Sequence, residues 1–324
     1  MRGPDGGLFV PMRLPQLTGE AISEMTGASF GQGMSSVLNL FFGTTLDSWN
    51  VDFAIGRYPA RVVNLGARVF CGEVWHNPHW RFSRLVKNLQ KTLLNEPMPI
   101  PSEWLLLSAR IGAIFGLYGE LCESGCLGAD GTFDVAVPSG DFSAPMAVWY
   151  ARKMGLPIAN IICICNENSA PWNLLHQGSM RMDAATVKTT TPDCDQNVPA
   201  GLERLIYETL GSTECLRYCA LREKGSTYYL DELSVSGLRS GMYVSVVSRN
   251  RVDSMIGNLY KTAEYIADPY TALAFSGLID YRSRTGESRP ALVLSEVSPA
   301  YFLETVSRGL GITSKELKHL IEKG

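Results

Sequence analysis

From Phe133 onward the chain alternates unbroken apolar runs with small-residue turns: FDVAV, PSGDFSAP, MAVWYARKMG and NIICIC follow one another directly. A short apolar run bounded by turn residues reads as a strand covered on both faces, and the amphipathic stretch between two such runs reads as a crossover helix. The order is that of a βαβ unit in a parallel sheet. MYVSVVS and PALVLSEVS predict further strands, the second leading into a helix in SPAYFLETVSRGLG. Upstream, LTGEAISEMTG and FGQGMSSVLNLFFG predict two short helices, and VVNLGARVFCGEVW predicts β segments broken by glycines. A helix from Phe82 to Leu94 ends at NEPMPIP, where closely spaced prolines make an extended connector. A long apolar helix is expected from about Ser102 to Glu123. The fold class is α/β.

Composition narrows the function. With 29 basic and 32 acidic residues among 324, the formal net charge of -3 offers no global field for nucleic acid or an anionic membrane. Small molecules or proteins are the expected partners, with a homo-oligomer as one form of the latter. The apolar run Leu105 to Gly119 carries Arg110 and falls short of the roughly 20 residues that span a bilayer. The opening MRGPDGGLFVPMRLPQL lacks the apolar core of a signal peptide, so a cytoplasmic location is expected. The 8 cysteines read as thiols, since Cys163 and Cys165 sit inside IICIC as small hydrophobes. Cys122/Cys126 and Cys215/Cys219 have helical i, i+4 spacing, but no nearby His completes either pair, and no metal site is expected.

In a parallel sheet, ligands bind at the carboxyl ends of strands, where turns run into helix N-termini. Three turns qualify: PSGDFSAP (138 to 145), CNENSAP (165 to 171) and LSEVSPAYF (294 to 302). In the first, Ser139, Gly140 and Ser143 leave the backbone open to a phosphate, while the carboxylate of Asp141 opposes one. A fourth stretch, EVWHNPHWRFSRLVKN (73 to 88), sets His76 and His79 around Pro78, with Glu73 spaced to share a hydrogen bond with His76. No Cys or Asp near them completes a nucleophilic or metal set.

The order of motifs resembles the threonine synthases, pyridoxal-phosphate enzymes of the tryptophan-synthase-β (type II) fold. DGGLFVP (Asp5 to Pro11) is similar to that family's N-terminal signature, and EVWHNPHWRF, VPSGDFSAPMAVWYARKMGLPIANIICICNEN, TTTPDCDQNVPAGLERLIYETLG, EYIADPYTALAFSGLID and VLSEVSPAYF follow in the family's order. The resemblance implies a parallel-sheet type II fold and pyridoxal phosphate as cofactor. Carried over by motif, the cofactor-binding positions are Ser139, Gly140, Asp141, Phe142, Ser143, Asn166 and Ser295.

The departures matter as much. The family reads close to HGPTLAFKD where this chain reads HNPHWRFSR, so the Schiff-base lysine position is Ser83. Serine forms no imine with an aldehyde, and the general acid/base help of that lysine, typically worth about 10² to 10⁴ in rate, goes with it. Lys87, one helical turn further along, is the substitute nearest in sequence, displaced by about 5.4 Å of rise. The family's phosphate turn resembles P-T/S-G-N-F-G-N; here Asp141, Ser143 and Ala144 replace its Asn, Gly and Asn. Its STAHPAKF is here SEVSPAYF, with Glu296, Ser298 and Tyr301 in place of Thr, His and Lys. Most of the small cofactor domain is missing between the Ser83 helix and Trp104.

The expected organisation is therefore a lead-in with a remnant of the small domain over residues 1–101 and a large α/β domain over 102–324. The Ser102 to Glu123 helix, or a second subunit, is expected to cover the sheet edge that the deletion exposes. Three functional readings follow: a threonine-synthase-like pseudoenzyme binding a small ligand or a partner, a working threonine synthase or lyase with a remodelled site acting on O-phosphohomoserine, and a non-catalytic assembly partner.

Overall fold

The computed structural model describes residues 6–55, 60–75, 81–94, 103–127 and 131–323. His76, His79, the Pro-rich junction and Asp5 lie outside them.

Helix α1 (Gly19–Glu24) is capped by Thr18, and α2 (Phe30–Phe42) by a reciprocal Ser29/Gln32 capping box. After α3 (Ser48–Ile55) come strands β1 (Arg61–Asn64) and β2 (Val69–Glu73), then helices α4 (Phe82–Leu94) and α5 (Glu103–Glu123). The expected βαβ unit follows as β3 (Phe133–Pro138), α6 (Ser143–Met154) and β4 (Ile158–Cys165). Beyond it lie α7 (Ala170–Gln177), β5 (Ser179–Arg181), α8 (Leu202–Leu210), α9 (Ser212–Glu223) and β6 (Thr227–Tyr229). The chain ends with α10 (Glu232–Arg239), β7 (Met242–Val246), α11 (Arg249–Ala263), α12 (Pro269–Thr285), β8 (Ala291–Ser295), α13 (Leu303–Leu310) and α14 (Ser314–Lys323).

The main sheet runs β1-β2-β8-β3-β4-β7, with every neighbouring pair parallel except the antiparallel β1. β5 and β6 form a separate antiparallel pair. Because side chains alternate along a strand, each buried strand feeds two cores. Phe70, Val135, Val137, Ile161, Cys163 and Leu292 join the core beneath α2, α5 and α6, while Val69, Cys71, Ala136, Ile162 and Val293 join the core beneath α11, α12 and α13. All 8 cysteines are free thiols.

Helix α5 departs from two expectations. Its 21 residues reach the length and apolarity of a membrane span, but 78% of its most apolar 18-residue stretch is buried inside the protein. It also covers a face of the sheet and not an edge: Leu117 lies over Gly72 of β2, and the Tyr118 ring stacks on Phe133 of β3 at 5.8 Å. The sheet's edges are β1, short and half-exposed, and β7. Glycines let α2 and α5 cross closely, since a Cβ on Gly116 would stand 2.6 Å from the Phe30 carbonyl oxygen and one on Gly33 2.8 Å from Gly116. Elements on both sides of residue 101 thus contribute to one apolar cluster.

Candidate functional site

A cavity of about 230 Å³ opens at the carboxyl ends of β3 and β8. Its walls come from the turn after β3, from the residues just past β8, from Arg110 on α5, from the Asp193–Gln196 segment and from Tyr270 at the start of α12. This is the position at which a parallel sheet offers a ligand site.

The turn after β3 carries two left-handed residues, Gly140 at φ 48° and Phe142 at φ 70°. For an aromatic residue that conformation costs about 1–2 kcal/mol. The fold holds it there by burying the Phe142 ring completely and by clamping the turn from outside, where the Gly201 N–H donates to the Asp141 carbonyl at 2.7 Å. Gly201 has to be glycine, because a Cβ would sit 2.8 Å from that same oxygen.

The charges of the site form one chain of contacts. The Arg110 Nε–H and Nη2–H donate to the two Glu296 oxygens at 2.7 and 2.8 Å, and its Nη1–H reaches the Ser143 hydroxyl. That hydroxyl donates in turn to Asp141 Oδ1, which also accepts the Ser143 backbone N–H at 3.0 Å. Burial works against the Arg110 charge, yet Glu296 outweighs it and holds the guanidinium's proton more tightly than usual. At the rim, Arg81 stacks over the Tyr301 ring at 4.9 Å and lies 3.8 Å from Asp193. Cys194 lines the cavity, but burial pushes its thiol up to about 12, so it is no nucleophile at neutral pH.

Of the residues singled out in sequence, Ser139, Gly140 and Asp141 line the cavity, and Ser143 lies buried beside it. Asn166 instead anchors the loop after β5, donating to Thr191 Oγ1 at 3.0 Å and Asp195 Oδ1 at 2.7 Å. Ser295 is buried behind the cavity wall and donates to Asp268 Oδ2 at 3.3 Å. Asp268 caps α12 by accepting the Tyr270 and Thr271 N–H groups, and burial pushes its carboxyl up to about 6. Glu73 pairs with Arg61, and His76, which the spacing set beside it, lies outside the described residues. Ser83 is exposed on the first turn of α4 and Lys87 is half-exposed one turn on; neither lines the cavity. No group of three or more His, Cys, Asp and Glu side chains is arranged to hold a metal among the described residues.

Sequence reasoning missed Arg110, Asp193 and Tyr270, and took Glu296 only as a lost threonine. The signal for Arg110 was its place inside LLLSARIGAIF, since a charge on a buried helix needs a partner.

Pyridoxal phosphate is the cofactor that the resemblance implies, and the residues present do not fit it. A Schiff base needs an amine, and the matching position offers only the exposed hydroxyl of Ser83. A phosphate would use amides at the start of α6, and one of these, the Ser143 N–H, is already taken by the Asp141 carboxylate.

Comparison with known proteins agrees on the fold. Residues 2–56 match the family described as threonine synthase N terminus. Threonine synthase-like 1 of Homo sapiens is 26% identical over 160 residues, which is 48% of this chain and 22% of that protein. Threonine synthase of Saccharomyces cerevisiae is 26% identical over 191 residues, 54% of this chain and 37% of that enzyme. The chain thus spans well under half the length of these curated relatives. Among solved structures, the pyridoxal-phosphate-bound threonine synthase from Brucella melitensis superposes with a TM-score of 0.83 at 18% identity, covering 98% of this chain and 89% of that one. The yeast threonine synthase structure gives 0.80 at 19% identity, covering 96% and 85%. The N-terminal segment and the curated relatives make this chain similar to the threonine synthases over part of its length, and the solved structures show that its fold is the type II pyridoxal-phosphate fold.

Proposed function

We propose that the chain is a threonine-synthase-like protein without Schiff-base catalysis, a cytosolic pseudoenzyme whose altered cleft binds a small ligand. The observation that carries this reading is the absence of an amine at the site. Ser83 stands at the lysine position, and among the described residues no lysine lines the cavity at the strand ends. Without the imine, the electron sink that splits elimination and replacement into easier steps is lost, together with the proton shuttle.

The test is an absorbance spectrum after incubation with pyridoxal phosphate and removal of excess, followed by borohydride reduction and peptide mapping. A featureless visible spectrum and no trapped lysine are expected. A trapped lysine with an imine band would overturn the reading and identify the working enzyme's amine, Lys87 included.

A second reading, a non-catalytic assembly partner, is favoured by one observation: Trp49 and Phe53 on α3 stack at 5.3 Å while 64% and 70% exposed. Sedimentation of the wild type beside Trp49→Ser tests it, with a fall in assembly state expected if that pair is an interface.

A further inference from the structure

We infer that Asp141 is a tethered anion that closes this cleft to phosphorylated ligands, and that Glu296 keeps the cleft's guanidinium, Arg110, from replacing it as an anion receptor. This goes beyond the loss of the lysine: it concerns which ligands the cleft admits, whatever amine is or is not present.

Two independent features converge on Ser143, which is buried at the start of α6. From one side its backbone N–H and hydroxyl both donate to Asp141 Oδ1. From the other, the Arg110 Nη1–H donates to the same hydroxyl. A helix start, a hydroxyl and a buried guanidinium aimed at one point are the parts of an anion receptor. Here the anion is part of the chain. Two further donors of the Arg110 fork, Nε–H and one Nη2–H, are held by the Glu296 carboxylate, so three of the guanidinium's five N–H groups are engaged by protein and its charge is already matched by a carboxylate.

The charge count points the same way. Among the described residues, Asp141, Asp193 and Glu296 line the cavity against Arg110, with Arg81 reaching Asp193 from the rim. A phosphate entering would displace one carboxylate and face two more. The ligand class that fits is therefore unphosphorylated, either neutral or carrying an amine.

The plainer alternative is that Asp141 is an ordinary turn residue satisfying the amide two residues ahead. The two accounts predict different results for the full chain titrated with inorganic phosphate, against sodium chloride of equal ionic strength, by thermal melting and by the amide shift of Ser143. Under our inference the wild type does not respond, and Asp141→Gly, which frees both Ser143 donors, binds phosphate at least about tenfold more tightly. Asp141→Asn keeps the acceptor but removes the charge, and falls between the two. Glu296→Gln, which loosens the grip on Arg110, shifts in the same direction as Asp141→Gly. An ordinary turn residue predicts lower melting temperatures with no phosphate response in either variant, which overturns the inference. So does a wild type that binds phosphate as well as the variants do, a result readable even if Asp141→Gly fails to fold. Because inorganic phosphate forms no imine, these outcomes are separate from those of the borohydride test.

Discussion

Two arginines with largely buried side chains, Arg110 and Arg204, are each held by a carboxylate fork, and the first lines the strand-end cavity while the second does not. Arg204 on α8 places both Nη groups on Glu103 and its Nε–H on the Phe9 carbonyl at 2.8 Å, with a fully buried side chain. Next to it, Glu203 accepts the Leu8 N–H at 2.9 Å and pairs with Arg222. Two cations meet two carboxylates, and the cluster pins the N-terminal signature segment to α5 and α8. Around Arg110 the same fork is surrounded by surplus negative charge and opens on a cavity. A closed, neutral cluster serves attachment, whereas an unbalanced cluster at a strand end governs what the cleft admits.

The largest expected effect separates these roles. Glu103→Gln leaves the buried Arg204 charge without its counter-carboxylate and with one of its three acceptors gone, and breaking a buried pair from one side typically costs about 3–5 kcal/mol. Urea denaturation should show that loss, unrelieved by phosphate. A loss below about 1 kcal/mol would make the anchor no stronger than a surface pair.

A third buried charge has no counter-ion among the described residues, which sharpens the contrast. Asp268 is held only by neutral donors: the Tyr270 and Thr271 N–H groups and the Thr271 and Ser295 hydroxyls. Its folded carboxyl titrates at about 6 against 3.8 for the ordinary group. Between those values the native state binds more protons than the unfolded state, so stability falls as pH rises through about 4 to 6 and then levels. The shift corresponds to about 3 kcal/mol across that window. Asp268→Asn keeps an acceptor for the two amides and should flatten this slope in denaturation curves measured at each pH. A slope that persists in the variant would assign the titration to another group.

The same contrast explains what was legible in the sequence. FDVAV and NIICIC gave away β3 and β4 because strands buried on both faces are apolar at nearly every position, and FGQGMSSVLNLFFG was legible as the helix α2. Helices α9 and α11 were not read as elements, apart from the Cys215/Cys219 spacing, since STECLRYCALRE and RNRVDSMIGNLYKTA carry polar residues at half or more of their positions and are held as helices by packing on one narrow face. The site divides in a similar way. Ser139, Gly140 and Asp141 are contiguous and share a recognisable turn, so they could be found together. The partner that gives Arg110 its meaning lies 186 residues away, and only the closed sheet brings α5 over the end of β8. Asn166 misled for the converse reason: its strand-end position was right, but its amide is used up by Thr189, Thr191 and Asp195.

A smaller effect is expected from Glu296→Gln. Arg110 keeps the Ser143 hydroxyl and is 14% exposed, so the loss should be about 1–3 kcal/mol, below that of Glu103→Gln. Unlike the Arg204 cluster, this site should recover stability when phosphate is added. Equal losses in the two variants, with no recovery in either, would erase the distinction between anchor and cleft.

The smallest effect tests whether the rim belongs to the cleft's rigid frame. The Asp193 side chain is 62% exposed and meets Arg81 only at 3.8 Å, a surface pair worth about 0–1 kcal/mol. Its segment is held by other groups: the Asp193 N–H donates to the Tyr270 hydroxyl at 3.0 Å, and Asp195 takes the Asn166 amide at 2.7 Å. Asp193→Asn should therefore change stability by less than about 0.5 kcal/mol, within the range of an ordinary surface substitution. In an Asp141→Gly background the same change should strengthen phosphate binding, because one repelling carboxylate leaves the cavity wall while the receptor at Ser143 stays intact. A large stability loss without any gain in phosphate binding would make Asp193 a strut. The negative surplus that distinguishes the Arg110 cluster from the Arg204 cluster would then reduce to Asp141 and Glu296 alone.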